Sequence, residues 1–372
     1  MNGKKILIIL NYYYPYVSGV SEYARVLAEE LVKKGNRVYV LTSNHAKRKA
    51  NETIEGVKVI RAPIICKISK GTISPMFILK AIRLSRQVDV VNLHLPMIES
   101  GLISMGISKK KMITTYHCDI NLPETFLNRV IIKCMDFSNN ICLRKSRHIV
   151  VQTIDYAKHS RVAHSYQSKF VEAATPIKDY NRVELPQDSR KNKVIGFCGR
   201  LVEEKGLDIL LSAFEILYET DKNLELVIGG DYENVAGGSV YHQLKDYIDV
   251  HRIPNVSFLG KIPENKMQEF YSSLDVFVLP SINSLEAFGM VQVEAMYCGT
   301  PVVATDLYGV RSIVGKTGMG IVVKQNDAEE LACAIRQILQ HPEMYKKSKI
   351  QIQEHFGTEK CVAIYEDLIK GF

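Results

Sequence analysis

Short apolar runs alternate with longer amphipathic stretches along the first half of the chain. Such runs are typical of buried parallel strands, and apolar positions three or four residues apart predict helices. Strands are predicted at residues 5–10, 38–42, 57–61, 88–94, 112–116 and 149–152, and helices at 20–35, 73–86 and 124–145. Because strands that alternate with helices favour a parallel sheet, the first half is predicted to be a doubly wound α/β domain.

A second series of the same kind begins after a polar stretch. Its strands are predicted at 194–198, 224–228, 256–259, 276–279, 302–304 and 321–323. The predicted organisation is a domain at 1–180, a linker at 181–192, a domain at 193–352 and a C-terminal helix within 353–372. Sheets of this kind bind ligands outside the carboxyl ends of their strands, so a cleft between the two sets of ends is the expected site.

The composition is that of a globular protein, with 46% hydrophobic and 24% charged residues. No stretch approaches the roughly 18 to 20 apolar residues that a membrane helix needs. The apolar run 6–10 is too short for a signal-peptide core, and we interpret it as the first strand. Eight cysteines without a C-x-x-C pair indicate neither a zinc site nor a disulfide framework, which favours reduced thiols in a cytoplasm.

Charge is distributed unevenly between the two halves. Residues 1–180 contain 28 Lys and Arg against 13 Asp and Glu, whereas residues 181–372 contain 20 against 27. A basic first half suggests an anionic partner, which could be a membrane surface, a nucleic acid or a phosphorylated acceptor. Ordinary variation of surface charge is the alternative.

The segment 280–301 contains two glutamates around a predicted helix start. Glu286 lies on a turn after a strand, and Glu294 lies about five residues into a helix that starts near Phe288 or Gly289. At a rise of about 1.5 Å per residue, both carboxylates remain near one pocket. The free N–H groups of a helix start favour a phosphate, and carboxylates accept hydrogen bonds from sugar hydroxyls. The alternative is a solvated helix start.

A second loop, at 196–207, also follows a predicted strand. Arg200 and Lys205 leave this loop where it opens a helix. Two cations at that edge can hold a diphosphate, Arg through its planar fork and Lys as a point charge. Alternatively, they are surface charges paired with Glu203 and Glu204.

Together the two segments are far more specific than either alone. The G-R…E-K-G loop at 199–206 and the E-x7-E-A-M-x-x-G-x-P-V-V segment at 286–303 resemble family four of the glycosyltransferases. The order of elements fits that family across the whole chain. The resemblance implies the GT-B fold, in which two Rossmann-like domains face a cleft and the C-terminal helix crosses back to the N-terminal domain.

The resemblance also implies a donor site in the second half. Arg200 and Lys205, beside Gly199, would neutralise the donor diphosphate. Glu294 would bind the ribose, and Glu286 would contact the transferred sugar. Backbone groups of the helix start would hold the distal phosphate and the sugar, at Ala287, Phe288, Gly289 and Met290. The base would lie against the loop at Gly260 and Lys261.

In the first half, Ser18 and Gly19 lie where the family has a glycine-rich loop that contacts the donor. The family usually has two glycines there, and the Cβ of a serine restricts how closely the backbone approaches a ligand. The resemblance places His117 near the anomeric centre and Asp119 close to the acceptor. His94, at the end of another predicted strand, is interpreted as a structural hydrogen-bonding residue.

Family members retain the anomeric configuration. A double displacement would need a carboxylate nucleophile, and the sequence offers no evident candidate. We therefore expect a front-side reaction in which the leaving diphosphate helps to deprotonate the acceptor hydroxyl. The chain contains no Asp-x-Asp metal motif, so neither a metal ion nor another cofactor is expected.

The expected donor is a UDP- or GDP-linked hexose. The expected acceptor is a glycan or a lipid-diphosphate-linked oligosaccharide in the biosynthesis of a surface polysaccharide such as lipopolysaccharide. The stretch 67–86 mixes apolar residues with Lys70, Lys80, Arg83 and Arg86, which suits a helix at a membrane surface. Peripheral association with the inner face of the membrane is therefore predicted, with core packing of those apolar residues as the alternative.

Three rival functions are weaker. A nucleotide-sugar epimerase or phosphorylase could use the same fold, because fold does not fix function. A nucleotide-dependent dehydrogenase would need a G-x-G-x-x-G loop after a strand, which the sequence lacks. A nucleic-acid-binding protein is disfavoured because no such module is recognisable and the second half is acidic.

Overall fold

The computed structural model describes residues 3–16, 18–45, 47–68, 71–185, 192–233, 235 and 238–372. The chain divides into two compact units. Unit 1 comprises Met1–Pro176 and Thr358–Phe372, and unit 2 comprises Ile177–Gly357. These divisions fall near the predicted ones at 180 and 352. Residues 186–191 of the predicted linker lie outside the described residues.

Unit 1 is built on an eight-stranded sheet. The strands of this unit are β1 (Lys5–Ile9), β2 (Arg37–Ser43), β3 (Asn51–Ile54), β4 (Val57–Ala62), β5 (Cys66–Ile68), β6 (Gly71–Ile73), β7 (Val90–Leu95), β8 (Met112–Tyr116), β9 (His148–Val151) and β10 (Phe170–Glu172). The order in the sheet is β10-β9-β8-β7-β1-β2-β4-β3, and β5 pairs with β6 separately. Among these pairings only β3 with β4 and β5 with β6 are antiparallel.

Helices cover the sheet of unit 1. Those before the chain enters unit 2 are α1 (Gly19–Lys33), α2 (Pro75–Ser85), α3 (Ser100–Met105), α4 (Phe126–Lys145) and α5 (Ile154–His159). Their starts follow capping rules. Thr125 accepts from Asn128 N before α4, and Ser74 accepts from Phe77 N before α2, whose first residue is proline.

Unit 2 repeats the architecture with six parallel strands. They are β11 (Lys193–Cys198), β12 (Leu224–Gly229), β13 (Val256–Gly260), β14 (Val276–Leu279), β15 (Val302–Thr305) and β16 (Gly320–Val323). The order in the sheet is β13-β12-β11-β14-β15-β16. The helices are α6 (Leu207–Thr220), α7 (Tyr241–His251), α8 (Met267–Ser272), α9 (Met290–Tyr297), α10 (Val310–Thr317), α11 (Ala328–Gln340), α12 (Pro342–Tyr345) and α13 (Lys349–Phe356).

The central strands are buried along their whole length. Every residue of β7, β8, β14 and β15 is buried, as expected for parallel strands covered on both faces. Most of these residues are apolar, but β7 also contains Asn92 and His94. Buried polar side chains of this kind need hydrogen-bond partners inside the protein.

The chain ends in α14 (Thr358–Lys370), which belongs to unit 1. Its buried face, which includes Val362 and Tyr365, packs with Leu27 of α1 in one apolar core. The predicted single helix is therefore two. Gly357 is extended, with φ −64° and ψ 137°, and separates α13 in unit 2 from α14 in unit 1.

None of the helices within the described ranges has both the length and the apolar composition to cross a membrane.

The packing of α14 predicts a large cost for truncating its central ring. Tyr365 is 1% exposed, and replacing a buried aromatic side chain by alanine typically costs about 3–5 kcal/mol. We expect Tyr365→Ala to lose about that much free energy of unfolding, measured by urea denaturation followed by circular dichroism. Met344→Ala, which truncates a 65% exposed side chain in unit 2, is the control. A loss below about 1 kcal/mol for Tyr365→Ala would contradict the packing.

Candidate active site

Two loops interlock at the carboxyl edge of the sheet in unit 2. One follows β11 and the other follows β14. The Ile282 N–H donates to the Glu204 carbonyl at 3.0 Å. Gly206 has φ +62°, and a Cβ there would lie 2.3 Å from the Pro280 carbonyl oxygen. Only glycine allows this approach of the two backbones, so the loop before α6 is fixed against the loop before α9.

Lys205 and Glu286 form an ion pair across these loops, from Nζ to Oε2. Their side chains are only 15% and 18% exposed. Charges that are mostly removed from water interact more strongly than surface charges, and each would be costly to leave unpaired. The residues predicted to bind the diphosphate and the sugar therefore contact each other, and a bound diphosphate would have to compete with Glu286 for the Lys205 ammonium.

Arg200 lies on the same loop as Lys205 in a more open setting. Its guanidinium donates to Glu204 Oε1 at 2.7 Å, and its side chain is 49% exposed. Exposed pairs of this kind contribute about 0–1 kcal/mol, so exchange of Glu204 for a phosphate would cost little. The structure thus contains the pairing with Glu204 that the surface-charge alternative proposed.

The helix predicted to start near Phe288 or Gly289 begins at Met290, one or two residues later. Gly289 caps α9 with φ +76°, and no side chain caps the first turn. Ala287 and Phe288 are buried, at 7% and 3% exposure. A ligand at this point would therefore meet backbone N–H groups, from Gly289 and Met290 in particular, and these groups suit a phosphate.

Glu294 lies in the second turn of α9. Tyr271 of α8 donates its hydroxyl to Glu294 Oε2 at 2.8 Å, and burial raises the pKa of the carboxyl. The tyrosine holds one carboxylate oxygen in place, so the second oxygen is the one suited to a ribose hydroxyl. The sequence pattern did not indicate Tyr271.

Glycines line the carboxyl ends of β11, β12 and β13. Gly199 N donates to the Gly229 carbonyl at 3.0 Å, and Gly230 N donates to the Gly260 carbonyl at 2.8 Å. A Cβ at Gly230, whose φ is +146°, would lie 1.7 Å from the Gly199 oxygen. This edge is therefore backbone surface, and Lys261 beside it is exposed. Contact of a base with Gly260 and Lys261 stays a prediction.

An aromatic pair not indicated by the sequence adjoins this edge. The rings of Tyr232 and Tyr241 stack with centroids 4.1 Å apart, and Tyr232 lies 3.8 Å from where a Cβ of Gly260 would be. Tyr241 opens α7, and Tyr232 follows β12, so two loops bring the rings together. Stacked rings next to a backbone edge suit a planar ligand group.

In unit 1 the predicted donor loop is a helix cap. Ser18 caps α1 through a capping box with Ser21: Ser18 Oγ accepts from Ser21 N at 3.2 Å, and Ser21 Oγ accepts from Ser18 N at 2.7 Å. Gly19 is the first residue of the helix. The Ser18 hydroxyl therefore already satisfies the helix start, and a phosphate contact would use its proton or the neighbouring backbone.

His117 directly follows β8 and is 3% exposed. Its Nε2 lies 3.0 Å from His94 Nδ1, and its Nδ1 lies 3.0 Å from Gln152 Nε2. Burial lowers the pKa of His117 to about 3, so the ring is neutral at pH 7. Both ring nitrogens have partners, and a ring nitrogen could contact a donor only by giving one of them up.

Asp119, predicted to lie close to the acceptor, is held by its own unit. Its carboxylate accepts from the Tyr116 hydroxyl, from Ser160 Oγ at 3.0 Å and from Arg161 N at 2.8 Å. These donors fix the loop after β8. An acceptor hydroxyl would have to compete with them.

A family model described as Glycosyl transferases group 1 matches residues 181–355, and one described as Glycosyltransferase Family 4 matches residues 17–167. The chain belongs to this family of glycosyltransferases. The resemblance that the loop motifs indicated is thereby confirmed.

Relatives agree with this membership. The chain is 23% identical over 348 residues to the GPI3 subunit of phosphatidylinositol N-acetylglucosaminyltransferase of Saccharomyces cerevisiae, covering 89% of this chain and 74% of that protein. Sucrose-phosphate synthase of Thermosynechococcus elongatus superposes with a TM-score of 0.78 at 20% identity, over 99% and 98% of the two chains. Anabaena HepE in complex with UDP superposes with a TM-score of 0.74 at 17% identity, over 99% of this chain and 100% of that one. The predicted GT-B fold is confirmed.

One buried acid of this family member was not anticipated. Glu99 precedes α3 at the carboxyl edge of the sheet, and its Oε2 accepts from Asn11 Nδ2 at 3.1 Å. Glu99 Oε1 and Asn11 Oδ1 are buried without a hydrogen-bond partner, and burial raises the pKa of Glu99. The only sequence signal was an acid shortly after β7.

Within the described ranges no three His, Cys, Asp or Glu side chains are grouped so that they could hold a metal ion.

Mild acid should destabilise unit 1 through His117. Because its pKa in the folded protein lies far below the ordinary 6.5, the neutral ring contributes stability above about pH 6.5, and this is lost as the pH falls toward 3. At pH 5 the loss is about 2 kcal/mol. We expect His117→Gln to flatten the dependence of unfolding free energy on pH between 7.5 and 5, whereas the exposed His341→Gln should leave it unchanged. Parallel profiles for wild type and His117→Gln would contradict the assignment.

Proposed function

We propose that the protein is a retaining hexosyltransferase that uses a nucleoside-diphosphate sugar, UDP- or GDP-linked, and transfers the sugar to a hydroxyl of a glycan or lipid-linked acceptor. The observation that supports this most directly is the Lys205–Glu286 pair on interlocked loops. The pair places the Lys205 cation, which suits a diphosphate, next to the Glu286 carboxylate, which can accept hydrogen bonds from sugar hydroxyls. The complex of Anabaena HepE with UDP supports the same donor class.

The ion pair suggests how the donor is engaged. A diphosphate that binds Lys205 weakens its attraction for Glu286, because the negative charge of the carboxylate is then replaced by that of the phosphate. Glu286 becomes able to accept hydrogen bonds from the hydroxyls of the sugar. Binding of the diphosphate thus prepares the sugar subsite, and a free sugar without diphosphate would meet a carboxylate that is already paired.

The reaction needs negative charge to be stabilised on the leaving diphosphate. As the bond between the anomeric carbon and the phosphate oxygen breaks, Lys205, Arg200 and the N–H groups at the start of α9 stabilise that charge. The new bond from the acceptor oxygen forms on the same face, and the acceptor proton passes to the diphosphate oxygen. The anomeric configuration is retained without a covalent intermediate.

The same groups take the place of a metal ion in this proposal. Cationic side chains and a helix start supply positive charge at the diphosphate, which is the task of a divalent ion in enzymes that need one. Turnover should therefore persist in excess chelator, and its loss would contradict this part of the proposal.

An acceptor at the cytoplasmic face of a membrane is favoured by the surface of unit 1. Helix α2 packs on α3, and α3 packs on α4. Large apolar side chains on these helices are exposed: Met76, Leu79, Leu102, Met105, Phe126, Leu127, Val130 and Phe137. Basic side chains on and around the same helices are exposed as well: Arg83, Arg86, Lys109, Lys110, Arg129, Lys133, Arg144 and Arg147. We call this set the apolar-basic surface.

Its composition matches an anionic bilayer. Apolar side chains enter the interface while Lys and Arg contact anionic head groups. The predicted amphipathic helix is present as α2, which buries Phe77 and Ala81 and exposes Leu79, so part of its apolar content is core and part is surface. Lys70 lies outside the described residues. The yeast relative, whose name specifies phosphatidylinositol as substrate, supports a lipid acceptor.

Lys205 is the residue whose removal tests the donor site. The protein is tested with a panel of UDP-, GDP- and ADP-sugars. One of these classes should raise its melting temperature, because ligand binding stabilises the folded state. With that donor, Lys205→Ala should still fold, with a lower stability because Glu286 loses its partner. It should lose about 10²- to 10³-fold in kcat, as when one preorganised stabilising group is removed. Lys266→Ala, an exposed lysine of unit 2, is the control.

Near wild-type turnover of Lys205→Ala would overturn the diphosphate assignment. An epimerised sugar formed from the donor without any acceptor would favour the epimerase alternative, and a sugar phosphate formed with inorganic phosphate as the only acceptor would favour the phosphorylase alternative.

The apolar-basic surface predicts binding to anionic vesicles. Wild-type protein should float with vesicles that contain phosphatidylglycerol and remain unbound with phosphatidylcholine alone. The double variant Phe126→Glu and Phe137→Glu should lose most of this binding, because two exposed rings become charges. Met344→Glu, at an exposed apolar position of unit 2, should bind as wild type does. Flotation of the double variant at the wild-type level would refute the surface.

A further inference from the structure

Buried polar side chains form a continuous hydrogen-bonded row through the core of unit 1. These side chains lie on α1, β7, β8 and α14 or directly after β8 and β9. Each side chain contacts the next one in the row. In order, they are Gln152, His117, His94, Asn92, Thr115, Tyr365 and Tyr23. Six of the seven are at most 3% exposed. We call this set the polar row.

The contacts within the polar row are short. His94 Nε2 lies 3.2 Å from Asn92 Nδ2, and Thr115 Oγ1 lies 2.9 Å from Asn92 Oδ1. The hydroxyl of Tyr365 lies 2.6 Å from Thr115 Oγ1 and 3.0 Å from the hydroxyl of Tyr23. The Tyr23 ring also meets the His117 ring edge-on, with centroids 5.0 Å apart. The row therefore connects the loop after β8 with the C-terminal helix.

Only one proton lies in the gap between the imidazole rings of His94 and His117. Both are neutral, because burial lowers the pKa of each ring. His117 Nε2 faces His94 Nδ1 at 3.0 Å, and a hydrogen bond there needs one proton, not two or none. If it belongs to His117 Nε2, then His94 carries its own proton on Nε2. If it belongs to His94 Nδ1, then His117 carries its own on Nδ1. The two rings must have the same tautomer.

The amides at the two ends follow the same constraint. If both Asn92 and Gln152 presented NH2 groups to the rings, both imidazole protons would lie in the one gap between the rings. One amide therefore presents its oxygen, which a rotation of 180° about its terminal bond allows. The hydrogen bonds between Gln152 and Thr115 then all run in one direction, either toward Gln152 or away from it.

We propose that His94 is a positioning residue that fixes the ring orientation and the tautomer of His117 and couples both to α14 through the polar row. This rests on the proposed function, because the family resemblance implies that His117 lies near the anomeric centre of the donor. His94 has no need to touch a substrate. An apolar side chain at this position of a largely apolar strand would cost less free energy to bury. A buried polar group is destabilising unless all its hydrogen bonds are made.

The tautomers test the proposal without any assay of transfer. Protein labelled with 15N at histidine should show His94 and His117 as neutral rings at pH 7, each predominantly one tautomer, and both the same. Tyr365→Phe removes one hydroxyl of the polar row and keeps the ring, so any change in tautomer population should appear in both histidines together. Opposite tautomers, or a change in only one of the two rings, would overturn the coupling.

Kinetics then separate positioning from packing. His94→Phe should lower kcat by roughly 10- to 100-fold, as for small misplacements at a reacting centre, while KM for the donor stays within about twofold. His94→Gln, which can keep one of the two hydrogen bonds, should recover part of the loss. Val91→Ala, another buried change on β7, should lower stability without this split.

Equal losses of kcat in Val91→Ala and His94→Phe would show that disturbed packing alone causes the loss. That result would overturn the positioning role. If His94→Phe does not fold, the same comparison is made with His94→Gln and Tyr365→Phe. Absence of any transfer by the wild-type protein would contradict the proposed function instead, and the tautomers would still decide the coupling.

Discussion

A parallel sheet covered on both faces can meet a ligand only at the ends of its strands, and this constraint organises both units. Strands such as β14 and β15 are fully buried, so nothing along them can meet a ligand. Loops at the carboxyl ends alone combine exposed backbone with charged side chains. In unit 2 the carboxyl ends of the strands bring together the helix start at Gly289, the glycines that follow β11 and end β12, and the Lys205–Glu286 pair.

Polar groups at these edges are matched to one another before any ligand arrives. Lys205 has Glu286, Glu294 has Tyr271, and Asp119 has three donors. Matching of this kind keeps charged side chains in place in partly buried surroundings, where an unpaired charge is costly. Ligand binding at such an edge is an exchange of partners. Groups whose partner is another flexible side chain can exchange, whereas Asp119, held by three donors, is much harder to redirect.

The sequence pattern was sufficient for the parallel architecture because buried strands read as continuous apolar runs. It missed β3, β5, β6 and β10, which are short and lie at or beyond the sheet margin. Resemblance named Lys205 and Glu286 separately, but their contact joins residues 81 positions apart and depends on Gly206 allowing two loops to approach. Tyr271 is one of 19 tyrosines, and nothing in its neighbourhood marks it as the partner of Glu294. The partners of His117 come from two other strands or their ends, so the histidine alone could not reveal them.

The return of α14 to unit 1 makes unit 2 an insertion in the covalent order of the chain. Domains of most proteins can fold in the order in which the ribosome produces them. Here the core that contains Tyr23 and Leu27 stays uncovered until residues 358–372 have been made, whereas all of unit 2 is available earlier. The second unit can therefore complete its fold before the first, and the nascent first unit displays an apolar surface for the whole time that the second is being synthesised.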